Sequence, residues 1–138
     1  MLDIFESYAT DSKLEVEGTW RKVQGGAELL IARAQNQKYV NLLAKLWREN
    51  EQLLDRKNAD GTEHPEATAK SEEIMIEVMA NTVLLGWKNV SYKRQPLNYS
   101  VENAAMLLKH RDFRQLVASL SSEIDAYRLQ LEDEQGKA

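Results

Sequence analysis

The sequence predicts a mainly α fold: a compact helical domain of about four helices with a small N-terminal antiparallel β-hairpin or three-stranded sheet. Three observations predict it. Two prolines and six glycines in 138 residues leave room for long uninterrupted elements. Apolar residues recur at three- and four-residue spacing through most of the chain after residue 36, the stripe of amphipathic helices. Before residue 34 the pattern changes to short alternating runs broken by glycine, the mark of strands and turns. With 43% hydrophobic and 29% charged residues the chain has the composition of a folded protein, and residues 1–138 suit a single domain.

In chain order, residues 1–9 form a short amphipathic turn with Leu2, Ile4, Phe5 and Tyr8 facing inward. The small β region spans 12–34. In KLEVEGTWRKVQ (13–24), Leu14 and Val16 alternate with Glu15 and Glu17, Gly18 interrupts, and Trp20 and Val23 follow, which reads as a hairpin. Gly25 and Gly26 break the chain again. ELLIARA (28–34) fits a buried strand or the first turns of a helix, and the two glycines before it favour a third strand. Asn36 caps a helix over 36–57 whose stripe is Tyr39, Val40, Leu43, Leu46, Trp47, Leu53 and Leu54. KNADGTEHPE (57–66) is a loop. Pro65 suits the first turn of the helix over 65–87 and Glu66 complements its dipole. That helix carries Ile74, Met75, Val78, Met79, Val83 and Leu85. A polar connector holding Pro96 follows, with aromatic residues exposed along it. Ser100 caps a helix over 100–109, and KHRD (109–112) marks a bend. Asp112 starts a last helix over 112–133 with Phe113, Leu116, Val117, Leu120, Ile124, Tyr127 and Leu131 as its stripe. Residues 134–138 are a frayed tail.

Little catalytic chemistry is legible. The absence of cysteine excludes disulfides, thiolate catalysis and cysteine-ligated metals. His64 in a polar loop and His110 in a basic turn stand far apart, without an HxxxH or HExxH pattern. Glu72-Glu73 and Glu132-Asp133-Glu134 read as solvated helix faces. Gly25-Gly26 lacks the spacing of a phosphate loop. No catalytic, cofactor-binding or metal site is expected, and no enzymatic activity. Acidic residues stand in the first residues where a signal peptide is basic, and no run approaches the roughly 18 apolar residues of a membrane span.

What remains is a surface for partners, centred on residues 82–108. There an apolar helix ends at Gly86-Trp87 and a new one begins at Ser100. A basic cluster, Lys88, Lys93, Arg94, Lys109, His110, Arg111 and Arg114, is interleaved with Tyr92 and Tyr99. Single-stranded nucleic acid is bound by such mixtures, but a net charge of −4 disfavours it against protein docking or plain solvated charge. Trp47 is expected in the core and Trp20 over one end of the sheet. Trp87 either plugs the core or anchors a partner. The candidate protein-interaction residues are Trp87, Tyr92, Arg94, Pro96 and Tyr99.

Two stretches carry a resemblance. GTWRKVQGGAELLIARAQNQKY (18–39) has a tryptophan-bearing strand, a glycine turn, a run ending in Ala32-Arg33, then Asn36 and Lys38-Tyr39. GWKNVSYKRQPLNYSVENAAMLL (86–108) has Gly86-Trp87, a short turn, then Pro96, Tyr99-Ser100 and Glu102-Asn103 before an apolar helix. DFRQLVASL (112–120) follows with Phe113-Arg114. Together they resemble the tail assembly chaperones of long-tailed phages. One departure is visible: a glycine expected in the turn before Pro96 is replaced by Tyr92-Lys93-Arg94-Gln95.

The resemblance implies a protein-binding role. It implies a chaperone that coats and solubilises the tape measure protein, helps recruit the tail tube protein, acts in the host cytoplasm during infection and is absent from the mature virion. It further implies a longer, frameshifted form of the same chain as partner. A homo-oligomer is expected, with no membrane, and with nucleic acid disfavoured by the net charge of −4. A structural tail completion or connector protein of the virion, and a helical nucleic-acid-binding regulator, are the alternatives.

Overall fold

A computed structural model describes residues 1–130. Among them the α-helices are α1 (Ile4–Tyr8), α2 (Ser12–Glu17), α3 (Gln37–Glu49), α4 (Glu51–Leu54), α5 (Pro65–Thr82), α6 (Val101–Leu108) and α7 (Arg111–Ser121). The strands are β1 (Thr19–Lys22), β2 (Glu28–Ile31), β3 (Leu84–Lys88), β4 (Ser91–Tyr92) and β5 (Gln95–Pro96). Short 3₁₀ turns cover Gln24–Gly26 and Ile124–Tyr127. This is a mixed α/β fold with one three-stranded and one two-stranded sheet, and the mainly α, four-helix expectation is corrected.

The correction comes largely from residues 84–88. The helix predicted over 65–87 stops at Thr82, and Val83 turns out of helical geometry (φ −123°, ψ −56°). Leu84–Lys88 then pairs antiparallel with β2, so that the sheet runs β1-β2-β3 with β2 in the centre. A short apolar run such as VLLGW fits a helix end or a buried strand equally well. What decides is β2, whose Leu29 and Ile31 are both fully buried and whose free edge needs hydrogen-bond partners. Trp87 stands opposite Leu29 and Gly86 opposite Leu30, and the register slips between Leu30 and Ile31.

The N-terminal half is also rearranged. Residues 12–17 are helix rather than strand, because the Asp11 carboxylate accepts from the amides of Lys13 and Leu14 and Gly18 ends the turn at φ +86°. The hairpin is β1–β2 around Gln24–Gly26. The three-stranded sheet was anticipated in size but not in membership. Leu2, Ile4, Phe5 and Tyr8 were expected inward and are all exposed.

The predicted helix over 36–57 is divided into α3 and α4 at Asn50, whose side-chain amide donates back to the Leu46 carbonyl at 2.8 Å. The helix over 100–109 is present as α6, capped by Ser100, whose hydroxyl accepts from the Asn103 amide. The helix over 112–133 is shortened to α7, and His110 rather than Asp112 occupies its N-cap. It ends where the hydroxyls of Ser121 and Ser122 both donate to the Ala118 carbonyl. The chain then turns so that Tyr127, fully buried, donates to the Ile31 carbonyl at 2.9 Å. The end of that predicted helix and the tail 134–138 lie outside the described residues.

One core joins these parts. Leu29 and Ile31 of β2 and Leu84 and Trp87 of β3 meet Ile76, Met79, Ala80 and Val83 on and just after α5. Ala104, Leu107 and Leu108 of α6 and Val117 of α7 close it. Helix α3 contributes no fully buried residue and packs mainly on α5.

Candidate protein-interaction site

The five residues singled out in the connector separate into two groups. Trp87 is 8% exposed. Its indole N–H donates to the Leu97 carbonyl at 2.7 Å, and its ring meets Tyr99 edge-on at 5.0 Å. The Tyr99 hydroxyl donates to the Leu84 carbonyl at 2.8 Å. Burial, and then the nearby Glu102 charge, raises that phenol above the usual tyrosine range. These two rings pin the connector onto the edge of β3. Tyr92, Arg94 and Pro96 lie on the β4–β5 hairpin, with Arg94 and Pro96 exposed. The Tyr92 hydroxyl bonds His110 Nε2 at 2.8 Å and Lys93 Nζ lies over the Tyr92 ring at 5.6 Å.

The hairpin turn also accounts for the departure from the expected glycine. Lys93 and Arg94 both take positive φ, 50° and 68°. A two-residue type I′ hairpin loop, whose twist matches its strands, requires this at both central positions. The conformation that glycine adopts freely is here imposed on two long basic residues.

Part of the basic cluster is engaged. Lys88 Nζ sits over the exposed face of Trp20 at 4.2 Å, and Arg114 donates to the Leu108 carbonyl and meets Glu72 at 3.6 Å. A base-stacking platform needs open aromatic faces, and Tyr99 is turned inward. Among the described residues no three acidic or histidine side chains converge as a metal site would require, and no helix is long and apolar enough to cross a membrane.

An opening with an apolar lining lies elsewhere. Along one side of α3, Tyr39, Val40, Leu43, Ala44 and Trp47 face Met75 of α5 across a groove of about 720 Å³, with Gln35 and Arg48 at its polar rim. Trp47 is 42% exposed and Val40 47%, so the expectation of a core Trp47 is corrected. The reason is width. Apolar residues occupy an arc of α3 broader than one neighbouring helix can cover, and α5 is that one neighbour. Tyr39, Leu43 and Leu46 are half-buried on the α5 side, while Val40 and Trp47 are left outside. The Tyr39 hydroxyl reaches Met75 Sδ at 3.3 Å, and burial raises its pKa. The breadth of the stripe was the signal in the sequence that part of it had to remain uncovered.

A family model described as YdaY prophage protein matches residues 34–138. That span holds α3 to α7, the groove and the connector, and omits β1 and β2. No curated protein and no solved structure matches the chain.

Proposed function

The chain belongs to the YdaY prophage protein family, and from this phage origin we propose that it is a tail assembly chaperone, a non-enzymatic protein that binds and solubilises the tape measure protein and helps recruit tail tube subunits. The observation that carries the proposal is the uncovered side of α3. An apolar groove formed by Val40, Leu43, Trp47 and Met75 suits the apolar face of an amphipathic client helix. A long helical tape measure protein exposes many such faces before the tube encloses it, and exposed apolar patches aggregate. The groove buries only a few side chains, so each contact is weak. Many copies along one client supply avidity, and each remains displaceable by tube subunits. The setting is the host cytoplasm during infection, with the protein absent from the finished virion. The connector residues Tyr92, Arg94 and Pro96, exposed or half-exposed on the β4–β5 hairpin, supply a secondary contact to the client or to a longer form of the chain.

The test is co-expression with the tape measure protein of the same prophage. The wild-type chain is expected to shift the client into the soluble fraction, and the double substitution Val40→Glu, Trp47→Glu to lose that effect while keeping its own fold. A client equally insoluble with and without the wild-type chain overturns the function. A client equally soluble with the double variant overturns the groove. Stoichiometric presence in purified virions assigns a structural tail role instead.

A further inference from the structure

We propose that the β4–β5 hairpin and the corner between α6 and α7 form a second docking site, which takes an acidic amphipathic segment of a partner protein. Charge is segregated in this chain. Residues 88–114 hold six Lys and Arg against two acids, Glu102 and Asp112, although the whole chain carries −4. Lys93, Arg94, Lys109 and Arg111 are exposed, and among the described residues none of the four has an ion-pair partner. They come from two separate elements. The bond of 2.8 Å between the Tyr92 hydroxyl and His110 Nε2 ties the hairpin to the corner, and the His110 side chain makes that bond instead of capping α7.

The same pair, Tyr92 and His110, lines a groove of about 480 Å³ together with Leu29, Leu107, Phe113 and Leu116, and no carboxylate lines it. Leu29 and Leu107 belong to the core, Phe113 is half-buried, and Leu116 is 38% exposed. Lys93 Nζ over the Tyr92 ring brings one of the unpaired cations to the rim, and Lys109 and Arg111 flank His110 in sequence. A matching partner offers apolar side chains to the groove and carboxylates to the cations, and an acidic amphipathic protein segment offers both. A nucleic acid offers phosphates but no aliphatic side chains. The aromatic faces it would stack on are taken, Tyr92 by Lys93 and Tyr99 by the edge of Trp87. A long polyanion would also run past the patch onto a chain of negative net charge. A short segment meets only the charges within about 8 Å, the screening length at physiological salt. The hairpin tip is a separate sign. Lys93 and Arg94 hold φ of 50° and 68° where Asn-Gly is the ordinary choice. Backbone strain of this kind gathers at positions that contact ligands, and here it sets two cations at the tip.

The inference rests on the reading of this chain as a protein-binding one, but not on the α3 groove. Fluorescence anisotropy tests it with three labelled probes: a helical peptide whose leucine stripe is flanked by glutamates, the same peptide with glutamines, and a single-stranded DNA. The full chain carrying Val40→Glu and Trp47→Glu is the parent protein, so that the α3 groove takes up no peptide. The parent is expected to bind the glutamate peptide with an affinity that falls as salt rises, and the glutamine peptide about tenfold more weakly or worse. Adding Lys93→Asn and Arg94→Gly is expected to weaken glutamate-peptide binding to a similar degree while stabilising the fold, which separates lost binding from lost structure. Leu116→Glu, with the fold checked by circular dichroism, is expected to weaken it as well. No binding of the glutamate peptide overturns the proposal, as does equal affinity for the two peptides or undiminished binding by the hairpin variant. DNA bound more tightly than the glutamate peptide overturns it in favour of nucleic acid. A client left insoluble while the peptide binds overturns the proposed function alone, and a soluble client without peptide binding overturns this site alone.

Discussion

Replacing Trp87 by Ala separates a tryptophan that holds the fold from one that faces a partner. A tryptophan side chain removes about 150–250 Å² from water when buried. At 8% exposure Trp87 realises nearly all of it. At about 25 cal/mol per Å² this is about 4 kcal/mol, within the roughly 3–5 kcal/mol seen for truncating large buried aromatics. The truncation also deprives the Leu97 carbonyl of its donor and Tyr99 of its edge-on neighbour. Those losses overlap with the same figure and are not added to it. For a chain of 138 residues, each kcal/mol moves the melting midpoint by about 3–4 °C. Trp87→Ala is therefore expected to lower it by about 10–15 °C. Trp47→Ala, on an open groove that leaves no enclosed cavity, is expected to cost about 1–2 kcal/mol and a correspondingly smaller shift. Trp87→Phe isolates the orphaned Leu97 carbonyl at about 1–3 kcal/mol. The assay is thermal unfolding followed by circular dichroism, since fluorescence changes with the mutations themselves. A Trp87→Ala midpoint within about 3 °C of wild type, or a Trp47→Ala loss equal to it, would refute the assignment of the two residues.

Gly18→Ala is expected to destabilise by about 2 kcal/mol or more, because φ is +86° and a Cβ would stand 3.1 Å from the Ile31 backbone. Gly61→Ala, at φ +84° but in open space, is expected to cost less, and urea midpoints compare the two. Changing Lys93-Arg94 to Asn-Gly is expected to stabilise by about 1 kcal/mol, since both positions hold a left-handed conformation that those residues adopt with little strain; an unchanged midpoint would mean that the turn stores no strain. Burial raises the phenol of Tyr127 above its ordinary value of about 10, with that of Tyr99 raised in the same direction. The folded state then holds those protons more tightly than the unfolded chain. Stability is thus fully present below about pH 10 and falls as pH rises beyond it. Tyr127→Phe should flatten that alkaline fall, as measured by unfolding midpoints between pH 8 and pH 11.

Much of the local structure was legible because it is set by neighbours in sequence. Asn36 caps α3 by accepting from the Tyr39 amide, and Pro65 opens α5, as their residue types require. Ser100 caps α6 in the same way. The amphipathic stripes of α3 and α7 were also visible, and β2 was assigned as a strand from the glycines before it. Asp11 was a missed signal of the same kind. Its capping of two amides makes Ser12–Glu17 a helix, although Leu14 and Val16 alternate like a strand.

What only the tertiary structure decided is who covers whom. Leu84–Lys88 is a strand because β2 lies beside it with an open edge, a fact that no periodicity within VLLGW contains. The helix over 112–133 gives way after Ser121 because Tyr127 reaches across to the Ile31 carbonyl. Val40, Trp47 and the apolar residues of the first turn read as core by type. They are exposed because, among the described residues, α5 is the helix most broadly packed on α3, and the first turn meets little beyond Arg128, whose guanidinium lies over the Tyr8 ring. Apolar spacing specifies which side chains seek cover. Whether cover comes from the same chain depends on the number of elements that reach each face, and on α3 the fold supplies one neighbour for a stripe wide enough for two.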